Sequence, residues 1–464
     1  MKLISYNYRH TARITSEELV AAASAIKPEI VTLRESLEKK YETDYALCAL
    51  PGDAELLERV QAVVEAKQRL NPSALVVIGI GGSIVGTQAV LEALYGCYYN
   101  EQQPKCKIYF VDTFDTDASY DVYLLVEQLL QEEKTVLVNI VSKSGSTLET
   151  QTNSALFVDL VKRYRPLDYK ELLVITTDHD SVLWRSAQRD GVVCLEIPKN
   201  VGGRFSVLSA VGLFPLGLIG VDLVQLRAGA ATMLTECLRT DVEHNPAALS
   251  AALLNLHYYR GAVIHDTFLF SKDLAGLGVW YRQLMAESLG KMYDRSGGLV
   301  RVGMLPTVSI GSTDLHSVGQ LYLAGPHNRF TTFVTVQKNR SNLVVPIFYN
   351  TSTESNFQDV FAGDSSVRDS SVSEQSFKDT VLNERSFDDL MNACAQGTMI
   401  SYQKQELPFT HSVLPEKSAW YVGQFLQMKM IEILYFGYLL DVNPFDQPQV
   451  ELYKQEMRKL LDHA

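Results

Sequence analysis

A run of strand formers, Val136-Leu137-Val138-Asn139-Ile140-Val141, stops at Ser142-Lys143-Ser144-Gly145-Ser146-Thr147 and opens into a helical stretch. Short apolar runs bounded in this way are the kind buried in parallel sheets, and here they recur. From about residue 72 candidate strands at 74–80, 107–111, 135–141, 172–176 and 192–197 alternate with helical patterns at 83–96, 118–131, 147–163 and 206–219. Such alternation predicts an α/β chain built on a doubly wound parallel sheet, with ligands beyond the carboxyl ends of the strands. A second cycle follows Gly220. It has helices at 223–239, 246–261 and 274–291 and strands at 267–271, 307–311, 330–337 and 343–348. A Ser/Asp-rich stretch from 351 to 378 reads as a solvated surface excursion, and the chain closes with helices at 416–440 and 449–461.

The segment 142–147 is suited to holding an anion. The first N–H groups of a helix have no intrahelical partner, and the helix dipole favours negative charge there. Ser142, Ser144, Ser146 and Thr147 add four hydroxyl donors, Lys143 adds charge, and Gly145 lets the loop turn. No GxxxxGK[ST] run stands here, so the nucleotide-type loop does not fit, and the pattern points to a compact phosphate on a small molecule. A plain Ser/Thr-rich helix cap is the alternative, but it needs one or two hydroxyls and no lysine. A second glycine loop, Gly79-Ile80-Gly81-Gly82-Ser83, follows the candidate strand at 74–80. With Ile84 and Val85 next, it lacks the third glycine of the dinucleotide fingerprint. Two such loops at adjacent strand ends suit one phosphosugar pocket better than a cofactor site.

A chain of 464 residues exceeds the usual single-core size, so two domains with appendages are expected. No apolar stretch is long enough to span a bilayer, and Met1-Lys2-Leu3-Ile4-Ser5-Tyr6 lacks a signal-peptide core. The six cysteines are scattered without a CxxC pair, which argues for reduced thiols in a cytoplasm. A net charge of −12 argues against nucleic-acid and membrane partners, and any anion site must concentrate its positive charge locally.

GIGGS at 79–83, SKSGSTLET at 142–150 and VGGRFSVLSAVG at 201–212, with QLMAESLGK at 283–291, STDLHSVGQ at 312–320 and NPFDQPQVELYK at 443–454, together resemble the glucose-6-phosphate isomerase family. The segments stand in the family's order from residue 79 to 454. The resemblance implies two sugar-isomerase (SIS-type) αβα sandwich domains, no cofactor and no metal, and a homodimer with shared active sites acting on a sugar phosphate. It divides the chain into an N-terminal segment at 1–60, a smaller domain at 61–220, a larger one at 221–440 and a helical C-terminal segment at 441–464. It places substrate contacts on Gly82, Ser83, Ser142, Lys143, Ser144, Gly145, Ser146, Thr147, Thr150, Gln283 and Gln447. The chain departs from the family at Gln449, where a glycine usually follows Asp-Gln-Pro, and a bulkier residue there bears on the turn carrying Gln447.

Aldose–ketose isomerisation accounts for the residue types in these segments. A proton moves between adjacent sugar carbons through an enediol, so one base must take it and return it. Glu287, on a helix among Leu284, Met285 and Leu289, is the candidate. A solvated helix glutamate is the ordinary fate of such a residue, and the QLxxES context reverses that reading. Arg204, behind two glycines at a helix start, is placed to offset charge on the enediolate. Ring opening needs its own acid and base, for which His316 and Lys454 are the candidates. Glu149 either orients Lys454 or favours its helix N-terminus electrostatically. A phosphosugar-binding regulator without catalysis is the rival reading, although it need not keep Glu287, His316 and Lys454. An isomerase that also accepts mannose 6-phosphate stays open.

Overall fold

The computed structural model describes residues 2–346 and 384–462. Its strands, in chain order, are β1 (Ser5–Asn7), β2 (Ala74–Ile78), β3 (Lys107–Val111), β4 (Val136–Val141), β5 (Leu173–Asp178), β6 (Val193–Ile197), β7 (Ile264–Leu269), β8 (Lys291–Tyr293), β9 (Leu299–Val302), β10 (Leu305–Ile310), β11 (Arg329–Lys338) and β12 (Phe409–Glu416).

The first sheet has the order β3-β2-β4-β5-β6, parallel throughout. Every residue of β2 and β4 is buried, because helices cover both faces and the strands need no polar alternation. The strand order reverses between β2 and β4, so the crevice at the carboxyl ends of these two neighbours is where a ligand is expected. Both glycine- and hydroxyl-rich loops leave from it.

The second sheet has the order β1-β12-β11-β7-β10. β12, β11, β7 and β10 are parallel, while β1 joins the free edge of β12 antiparallel, with Ser5 opposite Val413. The helix Ala419–Leu439 is buried on nearly all sides and runs through the centre of the molecule. Its ion pair Lys429–Glu432 is buried at 2.8 Å. Glu432 also accepts hydrogen bonds from Ser250 and Tyr281, so this buried charge is not left without partners. A second, smaller aromatic core of Phe268, Phe270, Phe333, Tyr402 and Phe409 lies on the other face of the sheet. The six cysteines are unpaired, and among the described residues no helix is long and apolar enough to cross a membrane.

Several expectations from the sequence need correction. The strand expected at 267–271 is β7 and begins three residues earlier, since His265 and Asp266 are buried polar residues that break an apolar run. Residues 343–346 form no strand, only an isolated bridge from Val344 to Ser386, and the rest of the expected 343–348 strand lies outside the described residues. So does the Ser/Asp-rich stretch at 351–378. The helix expected from 416 starts at Ala419, because Glu416 ends β12. The helix Phe387–Lys404 was not expected at all. It buries only Ala395, Thr398 and Tyr402, too thin an apolar stripe to register. The stretch expected as one helix at 206–219 is a 3-10 turn, Gly203–Leu208, followed by the helix Ala210–Leu218.

Candidate functional site

β4 delivers the hydroxyl loop. Ser142 is buried, and its Oγ accepts the Gly145 N–H at 3.1 Å and lies 3.3 Å from Thr147 Oγ1. Gly145 has φ of +71°, a conformation that disfavours a side chain, so the tight turn depends on glycine. Ser144 and Ser146 are exposed. Ser144 Oγ accepts the N–H of Ser146 at 3.2 Å and its hydroxyl at 3.0 Å. From β5, Thr177 Oγ1 donates to the Ser142 carbonyl at 2.6 Å and fixes the base of the loop. Thr147 is the N-cap of the helix Leu148–Tyr164 but makes no capping bond, so the bond of its hydroxyl is the one to Ser142 within the loop. Thr150 is buried one turn further, with no partner for its Oγ1 among the described residues. The Lys143 pKa is lowered, chiefly by burial; the charge of Arg204 adds to that, while Asp178 and Asp44 oppose it.

β2 delivers the glycine loop. Its 3-10 turn Gly81–Ser83 lies against the turn Gly203–Leu208. A Cβ on Gly82 would stand 2.1 Å from the Gly203 carbonyl carbon and 2.5 Å from the Arg204 nitrogen, so the two backbones touch directly. Ser206 Oγ spans them, donating to the Gly203 carbonyl at 2.7 Å and to the Gly82 carbonyl at 3.3 Å.

That contact places Arg204. Its side chain is 2% exposed. Nε donates to Ser288 Oγ at 2.8 Å, Nη1 to Glu287 Oε2 at 3.0 Å and to Gln447 Oε1 at 2.7 Å. Nη2 donates to the carbonyls of Pro444 at 2.6 Å and Asp446 at 3.3 Å. Burial lowers the Arg204 pKa, and Glu287 opposes that shift. Glu287 sits near the end of the helix Ala275–Leu289 with its side chain 33% exposed. Its other oxygen, Oε1, accepts from Gln283 Nε2 at 2.8 Å one turn earlier. A carboxylate fixed at both oxygens yet open to solvent, beside a buried guanidinium, has the parts for moving a proton next to a developing negative charge.

Of the residues expected at the site, Gly82, Arg204, Gln283, Glu287 and Gln447 come together, and Lys143 is close enough to feel the charge of Arg204. Gln449, where the family usually has glycine, is exposed, points its amide at Met292 Sδ at 3.8 Å and leaves Gln447 on Arg204. Ser142, Ser144, Gly145, Ser146 and Thr147 bond within their own loop, with Thr150 a turn beyond, and Ser83 ends the glycine turn. Three other residues make no bond to the Glu287 group among the described residues. His316 is exposed on the 3-10 turn Thr313–His316 that follows β10. Lys454 lies on the helix Val450–Asp462, none of whose residues is buried, and pairs with Glu451 at 2.7 Å. Glu149 stands half-buried in the first turn of the helix Leu148–Tyr164, the position of its helix-terminus reading, while the ion pair of Lys454 is with Glu451. Sequence reading passed over Ser288 and Lys291 as site-building side chains. Both stand inside the 283–291 segment, where an alcohol beside the candidate base and a lysine after Gly290 were the available signals.

The pattern of the phosphoglucose isomerase family matches residues 58–464. The glucose-6-phosphate isomerase of Carboxydothermus hydrogenoformans is 31% identical over 463 residues, which cover 99% of this chain and 93% of that protein. The glucose-6-phosphate isomerase of Heliobacterium modesticaldum is 32% identical over 408 residues, covering 86% and 83% of the two chains. Among solved structures, a hypothetical protein from Thermus thermophilus superposes with a TM-score of 0.80 at 30% identity, over 99% of this chain and all of that one (100%). A glucose-6-phosphate isomerase from Chlamydia trachomatis shares the fold at a TM-score of 0.78 and 21% identity, covering 99% and 88%.

Proposed function

The chain belongs to the phosphoglucose isomerase family, and on that premise we propose that it interconverts glucose 6-phosphate and fructose 6-phosphate through an enediol. The observation that carries this reading is the fixing of Glu287 between Arg204 and a Gln283 that lies against Gly81 of the glycine loop.

The hydroxyls of 142–147, with Lys143, take the phosphate. Glu287 takes the proton from carbon 2 of the open-chain aldose, and the electron pair shifts to give the enediolate. The proton of the carbon-2 hydroxyl passes to O1, and the same carboxyl group returns the abstracted proton to carbon 1 as the carbon-2 carbonyl forms, yielding the ketose. Arg204 offsets the charge on the enediolate oxygen from a fixed, dry position, where an electrostatic contact is stronger than in water. His316 and Lys454 serve ring opening.

His316 is exposed on its turn and makes no bond to the Glu287 group of its own chain among the described residues, and a homodimer in which it completes the partner's site would give it a role there. In this reading the chain divides at about residues 60, 220 and 440, with the two sugar-isomerase domains between, and works in the cytoplasm. A regulator that only binds phosphosugars is disfavoured by the relatives' names and by the presence of Glu287, His316 and Lys454 together.

Glu287→Gln tests the assignment. The amide keeps the Arg204 bond through its oxygen, and Gln283 can turn its Oε1, unpartnered among the described residues, to accept from the new N–H. The amide does not accept the substrate proton, so turnover of fructose 6-phosphate in a coupled assay should fall by about 10²-fold or more. The inhibition constant of inorganic phosphate should stay within about twofold of the wild type. Retention of more than roughly a tenth of the turnover removes Glu287 as the base.

A further inference from the structure

The turn at 443–447 joins the buried helix Ala419–Leu439 to the exposed helix Val450–Asp462. Because no residue of the second helix is buried, its placement is decided at its root. Two buried cations grip that root. Arg204 holds the carbonyls of Pro444 and Asp446. Lys291, 7% exposed, donates to the same Asp446 carbonyl and at 2.8 Å to the Asp446 carboxylate. Phe445, in the same turn, packs edge-on to Tyr45 at 5.2 Å and tilted on Phe205 at 6.1 Å.

Arg204 also reaches Glu287, whereas the hydrogen bonds of the Lys291 ammonium go to Asp446. The ammonium is desolvated while its carboxylate partner is half exposed. Such an arrangement is costly for the lysine and gains little elsewhere in the fold, which marks the contact as one with a local task.

We propose that Lys291 is a positioning residue that latches the C-terminal arm, residues 441–462, in the place where Gln447 meets Arg204 and from which Lys454 is presented. The part of this that concerns turnover rests on the isomerase reading above; the latch itself does not.

Lys291→Met separates the two. Methionine keeps the apolar stem, and the Asp446 carboxylate it frees remains in contact with water, so no buried charge is left alone. Hydrogen exchange read by mass spectrometry should show peptides from 441–462 opening about tenfold faster, with the helix Ala275–Leu289 unchanged. Turnover should fall by roughly tenfold with the inhibition constant of inorganic phosphate unmoved, because the phosphate loop is untouched. Lys291→Arg should restore both readouts in part. Unchanged exchange over 441–462, or equal loosening of Ala275–Leu289, overturns the latch. Faster exchange with full turnover overturns its part in catalysis. Should Lys291→Met fail to fold, Asp446→Asn gives the same reading in milder form, since it removes the ion pair and keeps the bond to the carbonyl. An isomerase reading that fails the Glu287→Gln test leaves the exchange result standing by itself.

Discussion

Arg204 Nη1 stands 3.0 Å from Glu287 Oε2, and the other four bonds of that guanidinium go to uncharged oxygens on Ser288, Pro444, Asp446 and Gln447. Its geometry is therefore fixed by neutral groups, and its hydrogen-bonded charge is directed at one carboxylate. A lysine has no planar fork with which to make these five contacts.

This relationship depends on the close approach of Gly82 to Gly203. Gly82→Ala must push the Gly203–Arg204 backbone away, since the new Cβ would meet backbone at 2.1 Å and no side chain is there to yield. Turnover should drop by about 10²-fold, the cost of moving a reacting group by about an ångström. Gly52→Ala is the control, because nothing lies within 4 Å of its Cβ position. Equal activity in both variants, measured with fructose 6-phosphate, would show that Arg204 is not set by this contact.

The loop hydroxyls divide into two kinds. Ser144 and Thr147 have no structural bond that a phosphate would need to break beyond those within the loop, so their alanine variants should raise the Michaelis constant. Each bond to a charged phosphate is worth on the order of 1.5–3 kcal/mol, roughly a ten- to hundredfold change. Ser142→Ala should in addition lower the melting temperature, because Ser142 Oγ satisfies the Gly145 N–H. Inhibition by inorganic phosphate should weaken in parallel for all three. Inhibition left intact in Ser144→Ala and Thr147→Ala places the phosphate elsewhere.

The acid side of the stability curve has an identifiable source. His257 is buried, bonded to the Ala12 carbonyl at 2.7 Å and stacked on Phe330 at 4.4 Å, and burial lowers its pKa from 6.5 to about 4. The unfolded chain thus binds more protons than the folded one between these values, so stability is full above pH 6.5 and is lost as pH falls toward 4. The loss from this group amounts to about 3 kcal/mol. His265, whose pKa burial also lowers, adds to it in the same direction. Urea unfolding at about pH 7.5 and about pH 5 should show the difference, and His257→Gln should flatten it. An unchanged slope in that variant assigns the acid sensitivity to other groups.

The shared-site proposal makes a separate demand. Mixing inactive His316→Ala and Glu287→Gln homodimers should restore activity as subunits exchange, since one site of each hybrid holds neither defect. The ceiling is roughly a quarter of the wild-type activity, with half the molecules hybrid and one good site in two. Exchange demonstrated by mass spectrometry without recovered activity would confine His316 to its own chain.

What could be read from the sequence was local. The loops at 79–83 and 142–147 announce themselves because all their chemistry lies within a few residues of a buried strand end, and the meeting of Arg204 with Glu287 follows from motifs that belong together. The positions of His316 and Lys454 could not be read in this way. Each sits on an exposed segment whose place is set by contacts far along the chain, as Gln447 depends on Arg204. β12 escaped notice because Thr410, His411 and Ser412 dilute its apolar residues, although two of the three are buried in a sheet held by hydroxyl contacts such as Thr332 to Thr410 at 3.1 Å. β1, three residues long, carries no pattern of its own and exists only because β12 offers it an edge.

That edge has a bearing on how the chain is made. On the ribosome, the strands 74–197 can assemble into their parallel sheet long before synthesis ends, but Ser5 has no mate until Val413 emerges. Residues 5–7 thus settle only after residue 413 has been made, and until they do the open side of β12 stays available to a neighbouring nascent chain.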